Sequence, residues 1–503
     1  MSPARQPARP TLLATRNGGA VALAEVPLLP VEGLRAAVLD RCGGGARLAA
    51  LFPLAPPSGG RGYELLAVLV DDRRGEIALV RGLLPRSGRY PALTAELPEA
   101  QAFERELAED LGVVPEGHPW LKPLRAHAFG EGAPGRSFLA VQGEGVHEVA
   151  VGPVHAGIIE PGHFRFQCHG EEVLHLEIHL GYQHRGAEAQ LLSGRPGRAQ
   201  VVAEAIAGDT AIGHGLAHDA ALEALAGVEP PLEAQVLRGI ALELERLSNH
   251  VGDLGAVCND VGFLPGASFY GRLRGDFLNL LAELSGNRFG RGLLVAGGVR
   301  FGVAADQRAE LVGKVDRAWR DLRDTAAATF DTPSVLARLE RTGVVSAQAA
   351  EELGLVGPAA RAAGCSRDVR RDHPSGVYRF AHIPIATADA GDVLARVQVR
   401  RIEIRRSITF VREHLERLRG GPLAVPVPPL PPGRLAVALV EGWRGEIVHV
   451  AATGEDGSLT AYKVVDPSFH NWFGLAQAMG GGAISDFPLV NKSFNLSYAG
   501  HDL

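Results

Sequence analysis

The chain has 503 residues, of which 46% are hydrophobic and 21% are charged. A soluble chain of this size and balance can bury a large core, in about two to four domains, which excludes a disordered or fibrous protein. The 51 basic and 57 acidic residues give a net charge of −6. Charge therefore provides no reason to expect nucleic acid as a partner.

The sequence shows no membrane span, export signal or local metal motif. No apolar run approaches the roughly 20 residues that cross a bilayer, and Met1–Ala20 lacks the apolar segment of a secretory signal. We therefore expect a cytoplasmic protein, or one bound peripherally to the cytoplasmic face of a membrane. The cysteines are at least 90 residues apart and form no CxxC pair, so no local zinc or iron–sulfur motif exists. They are Cys42, Cys168, Cys258 and Cys365.

The first part of the chain, residues 1–140, has the pattern of a small α/β domain. Tyr63–Val70 and Glu76–Val80 are rich in β-forming residues and flank a polar turn, which predicts a hairpin. Pro98 is followed by apolar residues at helical spacing, which predicts a helix from that point. Residues 115–153 are rich in Gly and Pro and are predicted to be a linker.

The second part predicts a hairpin followed by long helices. His163–Gln167 and Glu172–Leu180 flank a His-Gly turn. Residues 188–290 are predicted to be helical, most clearly where apolar side chains recur at a 4-3-4-3 spacing. These are Ile240, Leu244, Leu247, Val251 and Leu254.

The last part predicts one more long helix and a return to strands. Val397–Arg419 has a helical pattern, whereas the prolines of Gly420–Gly433 predict a stiff connector. Glu446–Ala452 and Leu459–Val465 are predicted strands. No internal repeat is found.

Six histidines lie close together in the sequence, and some of them could have a chemical role. The histidines are His155, His163, His169, His175, His179 and His184. His175 and His179 share a strand face with Glu177, which would suit a metal. Because strand alternation alone gathers them and no Cys or Asp completes the set, we favour ordinary neutral histidines.

His214 and His218 are four residues apart on a predicted helix, so their rings share one face. The Glu of an HEXXH zinc motif is missing between them, and we favour a packed or hydrogen-bonded pair. Asp260 follows a long apolar helix. It could be a buried proton-relay carboxyl or a turn residue at the helix end, and the residues alone leave both open.

Several ordered motifs carry a family resemblance. They are Gly152–His155, Glu160–Phe166, Gly181–Gly186, Glu243–His250, Val257–Asp260 and Asp486–Ser493. Together they resemble the large subunits of nickel–iron hydrogenases, in particular the membrane-bound, energy-converting (hydrogenase-4-like) group, and the related 49-kDa subunit of complex I.

The N-terminal part is similar to the 30-kDa subunit of complex I, through Phe103–Glu106, Leu111–Val113 and Glu116–Pro119. The chain is thus identified as a fusion. The resemblance implies an α+β protein, with a small α/β domain at 1–140. A mainly helical, hydrogenase large-subunit-like domain with flanking β-hairpins would follow at 150–503.

The resemblance breaks down where the nickel–iron enzymes carry four metal-binding cysteines. Alignment places Ala211 and His214 at the first pair and Ser497 and Gly500 at the second. Nickel needs soft thiolate ligands, and Ala and Gly offer no donor atom. The chain also ends three residues after Gly500, without the removable tail of nickel-loaded relatives. The resemblance therefore implies no metal and no hydrogenase activity.

Three residues are implied as catalytic by alignment with the family. Glu160 corresponds to the Glu that passes protons in hydrogenases, and Arg444 to the Arg over the metal site. Asp260 corresponds to the acid behind the quinone cavity of complex I. Ile212 stands where that cavity has its quinone-contacting Tyr, and the quinone-contacting His has no counterpart here.

Trp443 replaces a family Pro beside Arg444, and with Ile212 and His218 it is predicted to line a quinone cavity. We expect the ring to fill the space left by the metal, near His214 and Tyr498, with the indole N–H donating to Glu160. The alternative is that it points outward and covers the strand.

These observations predict a metal-free, hydrogenase-like subunit of a membrane-associated, complex I-like oxidoreductase on the inner face of a bacterial membrane. Its own contribution would be proton relay and quinone contact. The chain would bind no cofactor itself, and electrons would come from a small iron–sulfur subunit beside antiporter-like membrane subunits. Two alternatives stay open: a quinone-reducing subunit of an NADH dehydrogenase-like enzyme, or a scaffold without redox chemistry.

Overall fold

The computed structural model describes residues 12–54, 62–125, 138–155, 159–193 and 197–503. It confirms the α+β class: a five-stranded sheet lies in the N-terminal part of the chain, a four-stranded sheet lies in the C-terminal part, and long helices form the centre. None of the helices in these described ranges is long and apolar enough to cross a membrane.

The N-terminal elements form a sheet with two helices beside it. Their bounds are β1 Leu13–Thr15, β2 Ala20–Ala22, β3 Leu28–Pro30, α1 Val31–Gly43, β4 Arg47–Pro53, β5 Glu64–Asp71, β6 Glu76–Leu83, β7 Arg89–Pro91, α2 Gln101–Leu111 and β8 Val114–Glu116. The sheet has the order β1-β6-β5-β4, with β3 added parallel to β6. The predicted hairpin is confirmed as β5 and β6, and the predicted helix as α2.

The middle elements are a three-stranded sheet followed by helices. Their bounds are β9 Val146–Val151, β10 His163–His169, β11 Glu172–His179, α3 Ala187–Leu192, α4 Arg198–Ala203, α5 Ala211–Ala226, α6 Leu232–Asp260, α7 Leu264–Ser285, β12 Leu294–Val295, β13 Gly298–Val299 and α8 Ala305–Phe330. The second predicted hairpin is confirmed as β10 and β11.

The linker prediction for residues 115–153 is wrong at Val146–Val151, which pairs antiparallel with β10. The β-branched residues of this short segment find their partner strand only in the tertiary structure. In the sequence, the surrounding Gly and Pro residues outweighed them, which led to the linker prediction. Residues 126–137 of the predicted linker lie outside the described residues.

The C-terminal elements end in a second sheet and three helices. Their bounds are α9 Pro333–Leu339, α10 Ala347–Glu352, α11 Gly357–Arg361, α12 Val369–Asp372, α13 Val393–Arg417, β14 Arg434–Gly442, β15 Gly445–Thr453, β16 Leu459–Val465, α14 Pro467–Met479, α15 Phe487–Phe494 and α16 Tyr498–Asp502. The sheet order is β16-β15-β14-β2. The predicted helix is confirmed as α13 and the predicted strands as β15 and β16, whereas β14 was missed.

The two sheets share one apolar core. β2, from the N-terminal part, pairs with β14, and Val68 of β5 packs in the same buried cluster as Val437 of β14 and Val450 of β15. The division near residue 140 stays a prediction about sequence families; physically, the N-terminal sheet and the C-terminal sheet are packed together.

The central helix α6 combines apolar contacts with buried charges. It packs against α7 and α13, and the predicted apolar stripe from Ile240 to Leu254 is buried. On its other faces, His250 bonds Glu403 of α13 (2.8 Å) and Asp253 bonds Arg400 of the same helix (2.8 Å). Since buried charges must be paired, these bonds fix how α6 and α13 lie against each other.

One buried carboxyl on α5 has no hydrogen bond. Asp219 is fully buried, and neither of its oxygens has a hydrogen-bond partner. The guanidinium of Arg238 is 3.7 Å from the Asp219 carboxylate, but it donates to the Glu223 carboxylate at 2.7 Å. Burial raises the pKa of Asp219 well above its usual value, so at neutral pH the group is held in the protonated form or carries an uncompensated charge.

We expect Asp219→Asn to raise the midpoint of urea unfolding at pH 7, by about 1–3 kcal/mol in free energy, because Asn keeps the shape and cannot ionise. The folded pKa is raised, so the folded chain holds the proton longer than the unfolded chain does. The wild type therefore loses stability as pH rises above about 4, the unfolded pKa.

The gain should therefore be small at pH 4 and grow towards pH 7. Asp324→Asn, at a side chain that is 75% exposed, is the control and should leave the midpoint of urea unfolding unchanged at both pH values. A gain that is absent at pH 7, or equal at both pH values, would contradict this account of Asp219.

Candidate functional site

The turn between β14 and β15 carries two side chains that contact the start of α5. Arg444 donates to both carboxylate oxygens of Asp209, at 2.6 and 2.7 Å, and to Oγ1 of Thr210 at 3.1 Å. Its guanidinium lies 3.9 Å from the ring centre of Trp443. The Trp443 indole N–H donates to the carbonyl of Asp209 and to Oγ1 of Thr210, both at 3.1 Å.

Trp443 therefore packs inward, fully buried, but the predicted hydrogen-bond partner is wrong. The indole N–H bonds the backbone and hydroxyl that precede α5, not Glu160. Sequence alignment placed Trp443 next to Arg444 but could not show that the tight turn aims both side chains at the same two residues. Asp209 was missed, although an acidic residue just before a predicted helix was a signal that could have found it.

The charge of Asp209 is set by this pairing. Burial alone would raise the pKa of the Asp209 carboxyl, but the Arg444 guanidinium and its hydrogen bonds outweigh burial and lower it. Arg444 likewise keeps a pKa above its ordinary value, although burial opposes this, because Asp209 faces it. The pair is thus a fixed ion pair at neutral pH.

Helix α6 holds both halves of this cluster. Glu245 accepts the backbone N–H groups of residues 212–213, at 2.7 and 3.1 Å, in the first turn of α5. The next residue, Arg246, donates to the carbonyls of residues 441–442, at 2.6 and 3.0 Å, at the end of β14. Burial raises the pKa of Glu245 to about 8. Both residues were outside the predicted site.

Two of the four positions aligned with the cysteine ligands of the family, His214 and Gly500, contact a residue that the sequence prediction missed, Asp466. His214 donates from Nε2 to Oδ2 of Asp466 at 2.9 Å. A Cβ added at Gly500 would lie 2.6 Å from the same carboxylate. Ser497 caps the N-terminus of α16 by accepting the N–H of Gly500 at 2.8 Å, and Ala211 lies one turn before His214, fully buried.

Asp466 is also the N-cap of α14, where it accepts the N–H of Ser468 at 2.7 Å. Asp followed by Pro is a sequence signal for a helix start, so its cap could have been predicted. Its contacts with α5 and α16 could not, because those helices are distant in sequence.

The residues at these positions do not fit a nickel–iron centre. Both ring nitrogens of His214 are engaged, by Asp466 and by His449, and the space beside Gly500 is taken by a carboxylate. Across the described ranges, no group of three or more His, Cys, Asp and Glu side chains is arranged to hold a metal ion.

Glu160 and Asp260 lie apart from the Arg444 cluster. Glu160 is half-buried and accepts the N–H groups of Tyr498 and Ala499 at 3.2 and 3.1 Å, so it contacts α16. Asp260 is exposed at the end of α6. Of the three predicted catalytic residues, the structure thus places Glu160 beside the former ligand positions on α16, Arg444 beside those on α5, and Asp260 near neither.

Ile212, His218 and Trp443 do not line an open cavity, since each is at most 1% exposed. His218 instead bonds the hydroxyl of Tyr462 at 2.8 Å. The open space near Arg444 is a polar cleft of about 510 Å³. The polar residues that line it are Asp209, Asn249, Asp253, Asn259, Arg274, Lys492 and Asn495.

Four of the six histidines between 155 and 184, His155, His163, His179 and His184, bond neighbouring protein groups. His155 and His163 contact the carbonyls of Gly162 and Gly152, at 2.9 and 3.1 Å. On β11, Glu177 bonds His179 at 2.7 Å and accepts from Lys122 at 2.6 Å. The carboxylate that would have completed a metal site with His175 and His179 is thus neutralised by a lysine.

Comparison with known proteins gives two kinds of similarity. Residues 260–434 match the family model described as respiratory-chain NADH dehydrogenase, 49 Kd subunit. The chain is 30% identical over 434 residues to formate hydrogenlyase subunit 5 of Escherichia coli, with 82% of this chain and 76% of that protein covered. Coverage of 82% must include part of the region before residue 150.

Two further relatives show the range of the similarity. The carbon monoxide-induced hydrogenase of Rhodospirillum rubrum is 32% identical over 351 residues, which cover 69% of this chain and 97% of that protein. NADH-quinone oxidoreductase subunit 4 of Thermus thermophilus is 28% identical over 373 residues, which cover 69% of this chain and 91% of that protein.

We expect Gly500→Ala to lower the thermal midpoint, by the equivalent of about 1–3 kcal/mol, because the new Cβ would overlap a buried carboxylate. Asp466 cannot move aside without losing its bonds to His214 and to the start of α14. Gly275→Ala on α7, where an added Cβ meets nothing within 4 Å, is the matched control. It should leave the midpoint equal or raise it. Equal stability of the two variants would refute the steric account of Gly500.

Proposed function

The chain belongs to the family of the 49-kDa subunit of respiratory-chain NADH dehydrogenase and the related large subunits of membrane-bound nickel–iron hydrogenases, and on that premise we propose that it is a metal-free member. We propose that it serves as a subunit of a membrane-associated, complex I-like oxidoreductase. Its own contribution is to hold and move protons and to contact a quinone.

One observation carries this proposal: a protein carboxylate lies among the positions that align with the metal ligands of the relatives. The Asp466 carboxylate occupies the space beside Gly500 and takes the hydrogen bond of His214 at 2.9 Å. A single imidazole, an alanine, a serine and a glycine cannot replace four thiolates. The chemistry that this chain can still perform is acid–base chemistry and hydrogen bonding.

The cleft beside Arg444 supports the quinone part of the proposal. Arg274 and Lys492 line it, and such groups donate hydrogen bonds to carbonyl oxygens, whereas both N–H groups of the Asn249 amide are already donated to backbone carbonyls. Lys492 lies 3.9 Å from Asp253, whose other partners are Arg400 at 2.8 Å and the Asn495 amide at 2.6 Å. The cleft therefore offers cationic donors to a head group, whereas its carboxylates, Asp209 and Asp253, are already paired with arginines.

Partners and location follow from the relatives. One similar protein is a membrane-bound hydrogenase subunit of Pyrococcus furiosus, 30% identical over 372 residues, and others are subunits of NADH-quinone oxidoreductases. We propose the same kind of assembly here, peripheral on the inner face of the membrane. A small iron–sulfur subunit would supply electrons, beside antiporter-like membrane subunits.

A second candidate function is a scaffold without redox chemistry. Its specific support is the burial of Ile212, His218 and Trp443, each at most 1% exposed, which leaves no space for a head group at the position that the alignment indicates. The two candidates differ in whether the polar cleft beside Arg444 takes part in turnover.

The metal-free assignment predicts that the intact complex, purified from native membranes, contains no nickel in proportion to this chain. Iron should be present only in the amount that the iron–sulfur partner accounts for, and the complex should neither evolve nor consume hydrogen. Elemental analysis by mass spectrometry and a hydrogen electrode measure both. One nickel atom per chain would overturn the assignment.

Quinone contact predicts that Arg274→Gln in the assembled complex raises KM for a short-chain quinone severalfold and changes kcat less, because a donor to the bound head group is lost. Arg272→Gln, on the same helix but 50% exposed and paired with Asp276 and Asp321, should leave both constants unchanged. If neither variant alters KM, the cleft is not a quinone site and the scaffold function is favoured.

A further inference from the structure

Five buried side chains form one continuous row of hydrogen bonds behind the former metal position. Asp466 and His214 are 2.9 Å apart, His214 and His449 3.2 Å, His449 and Tyr462 2.8 Å, and Tyr462 and His218 2.8 Å. Each side chain is at most 4% exposed. We call these five residues the buried row.

Three elements assemble the buried row. His214 and His218 lie one turn apart on α5, which packs on β14 and β15. His449 of β15 and Tyr462 of β16 are diagonal neighbours, since His449 pairs with Val464 and Ala451 pairs with Tyr462. The row is therefore clamped between one helix and one sheet, and none of its members can turn to solvent.

The hydrogen bonds of the buried row can be satisfied by a single proton arrangement when Asp466 is ionised. Burial would raise the pKa of Asp466, but the hydrogen bond and charge of its neighbours lower it, so it accepts from Nε2 of His214. Neutral His214 then accepts at Nδ1 from Nε2 of His449. His449 accepts at Nδ1 from the Tyr462 hydroxyl, whose oxygen accepts from Nδ1 of His218.

The route requires a neutral His214, and burial keeps the other two histidines, His218 and His449, neutral. Burial lowers the pKa of His218 to about 4 and that of His449 well below its ordinary value, with the neighbouring histidines adding to the effect. Every donor in the buried row therefore points the same way, from His218 towards Asp466.

We propose that the buried row is a proton-transfer route that ends at Asp466, in the space where the relatives hold their metal. A proton added to Nε2 of His218 displaces the Nδ1 proton to the oxygen of Tyr462. The Tyr462 hydroxyl proton moves to His449, the His449 Nε2 proton to His214, and the His214 Nε2 proton to Asp466. One proton enters at His218 and one is held on the Asp466 carboxyl, from which the reaction would take it, with no change in electrons.

Glu160 is not a member of this route: it accepts the backbone N–H groups of Tyr498 and Ala499 at the start of α16. The route rests on the proposed function only in that a reaction near Asp466 consumes protons. With Asp466 ionised, pairing every polar group already requires this common orientation, so the tautomers test the premise of the route, and turnover tests whether protons move along it.

The orientation can be measured on the isolated full-length chain, without any activity. Protonated and unprotonated imidazole nitrogens give separate ¹⁵N resonances, and single His→Gln variants assign them. We expect Nε2–H tautomers at His214 and His449 and an Nδ1–H tautomer at His218. A reversed tautomer at any of the three, or a mixture, would overturn the route.

The assembled complex provides the second test. Tyr462→Phe removes the hydroxyl and keeps the ring, so turnover should fall at least tenfold, with KM unchanged and a larger effect of D₂O on kcat. Tyr270→Phe is the matched control, because its buried hydroxyl lies outside the buried row, and it should behave as the wild type. Full turnover of Tyr462→Phe would overturn the route even where the tautomers agree.

The two tests separate this proposal from the proposed function. A complex that lacks quinone reductase activity but shows the expected tautomers refutes quinone reduction and supports the donor orientation on which the route depends. An active complex in which Tyr462→Phe turns over like Tyr270→Phe supports quinone reduction and refutes the row.

Discussion

The buried guanidinium of Arg246 is the constraint on which the rest of the site depends. It has no access to water, so its N–H groups must find acceptors in the protein. They find Glu243 at 3.2 Å, Glu403 at 3.6 Å and the carbonyls of residues 441–442 at 2.6 and 3.0 Å. Removing one partner from such a buried pair costs about 3–5 kcal/mol, so α6, α13 and the β14–β15 turn are held in one arrangement.

That arrangement explains why Arg444 meets Asp209. The turn is fixed by Arg246, and the start of α5 is fixed by the neighbouring Glu245, through two backbone N–H groups at 2.7 and 3.1 Å. Two adjacent residues of one helix thus position the cation and the anion of the pair. Because the supports are side chains on a rigid buried helix, the Arg444–Asp209 geometry does not depend on a bound group to organise it.

The elements that the sequence could predict are those with local patterns. The spacing of Ile240, Leu244 and Leu247 indicates α6 because a buried helix repeats its apolar face. β14 was missed since Arg434–Gly442 follows a proline-rich connector and has a continuous apolar run rather than alternation, as expected for a strand buried on both faces. Local patterns carry no information about which elements later pack against each other.

The site residues likewise divide into those that the sequence could predict and those that it could not. Alignment identified Ala211, His214 and Arg444, each of which belongs to a recognisable motif. Asp466, His449 and Tyr462 were missed because the contacts that make them important join α5 to the second sheet. Asp260 was identified by alignment but lies exposed at the end of α6, a position that the helical pattern alone could not distinguish from a buried one.

The contact between Gly500 and Asp466 makes two distant positions of the chain depend on each other. A side chain at position 500 needs the space that the carboxylate occupies, so none can be added there while Asp466 remains in place. Losing Asp466 first would uncap α14 and leave His214 without its acceptor. Substitutions at residues 466 and 500 are therefore coupled, and neither is neutral alone.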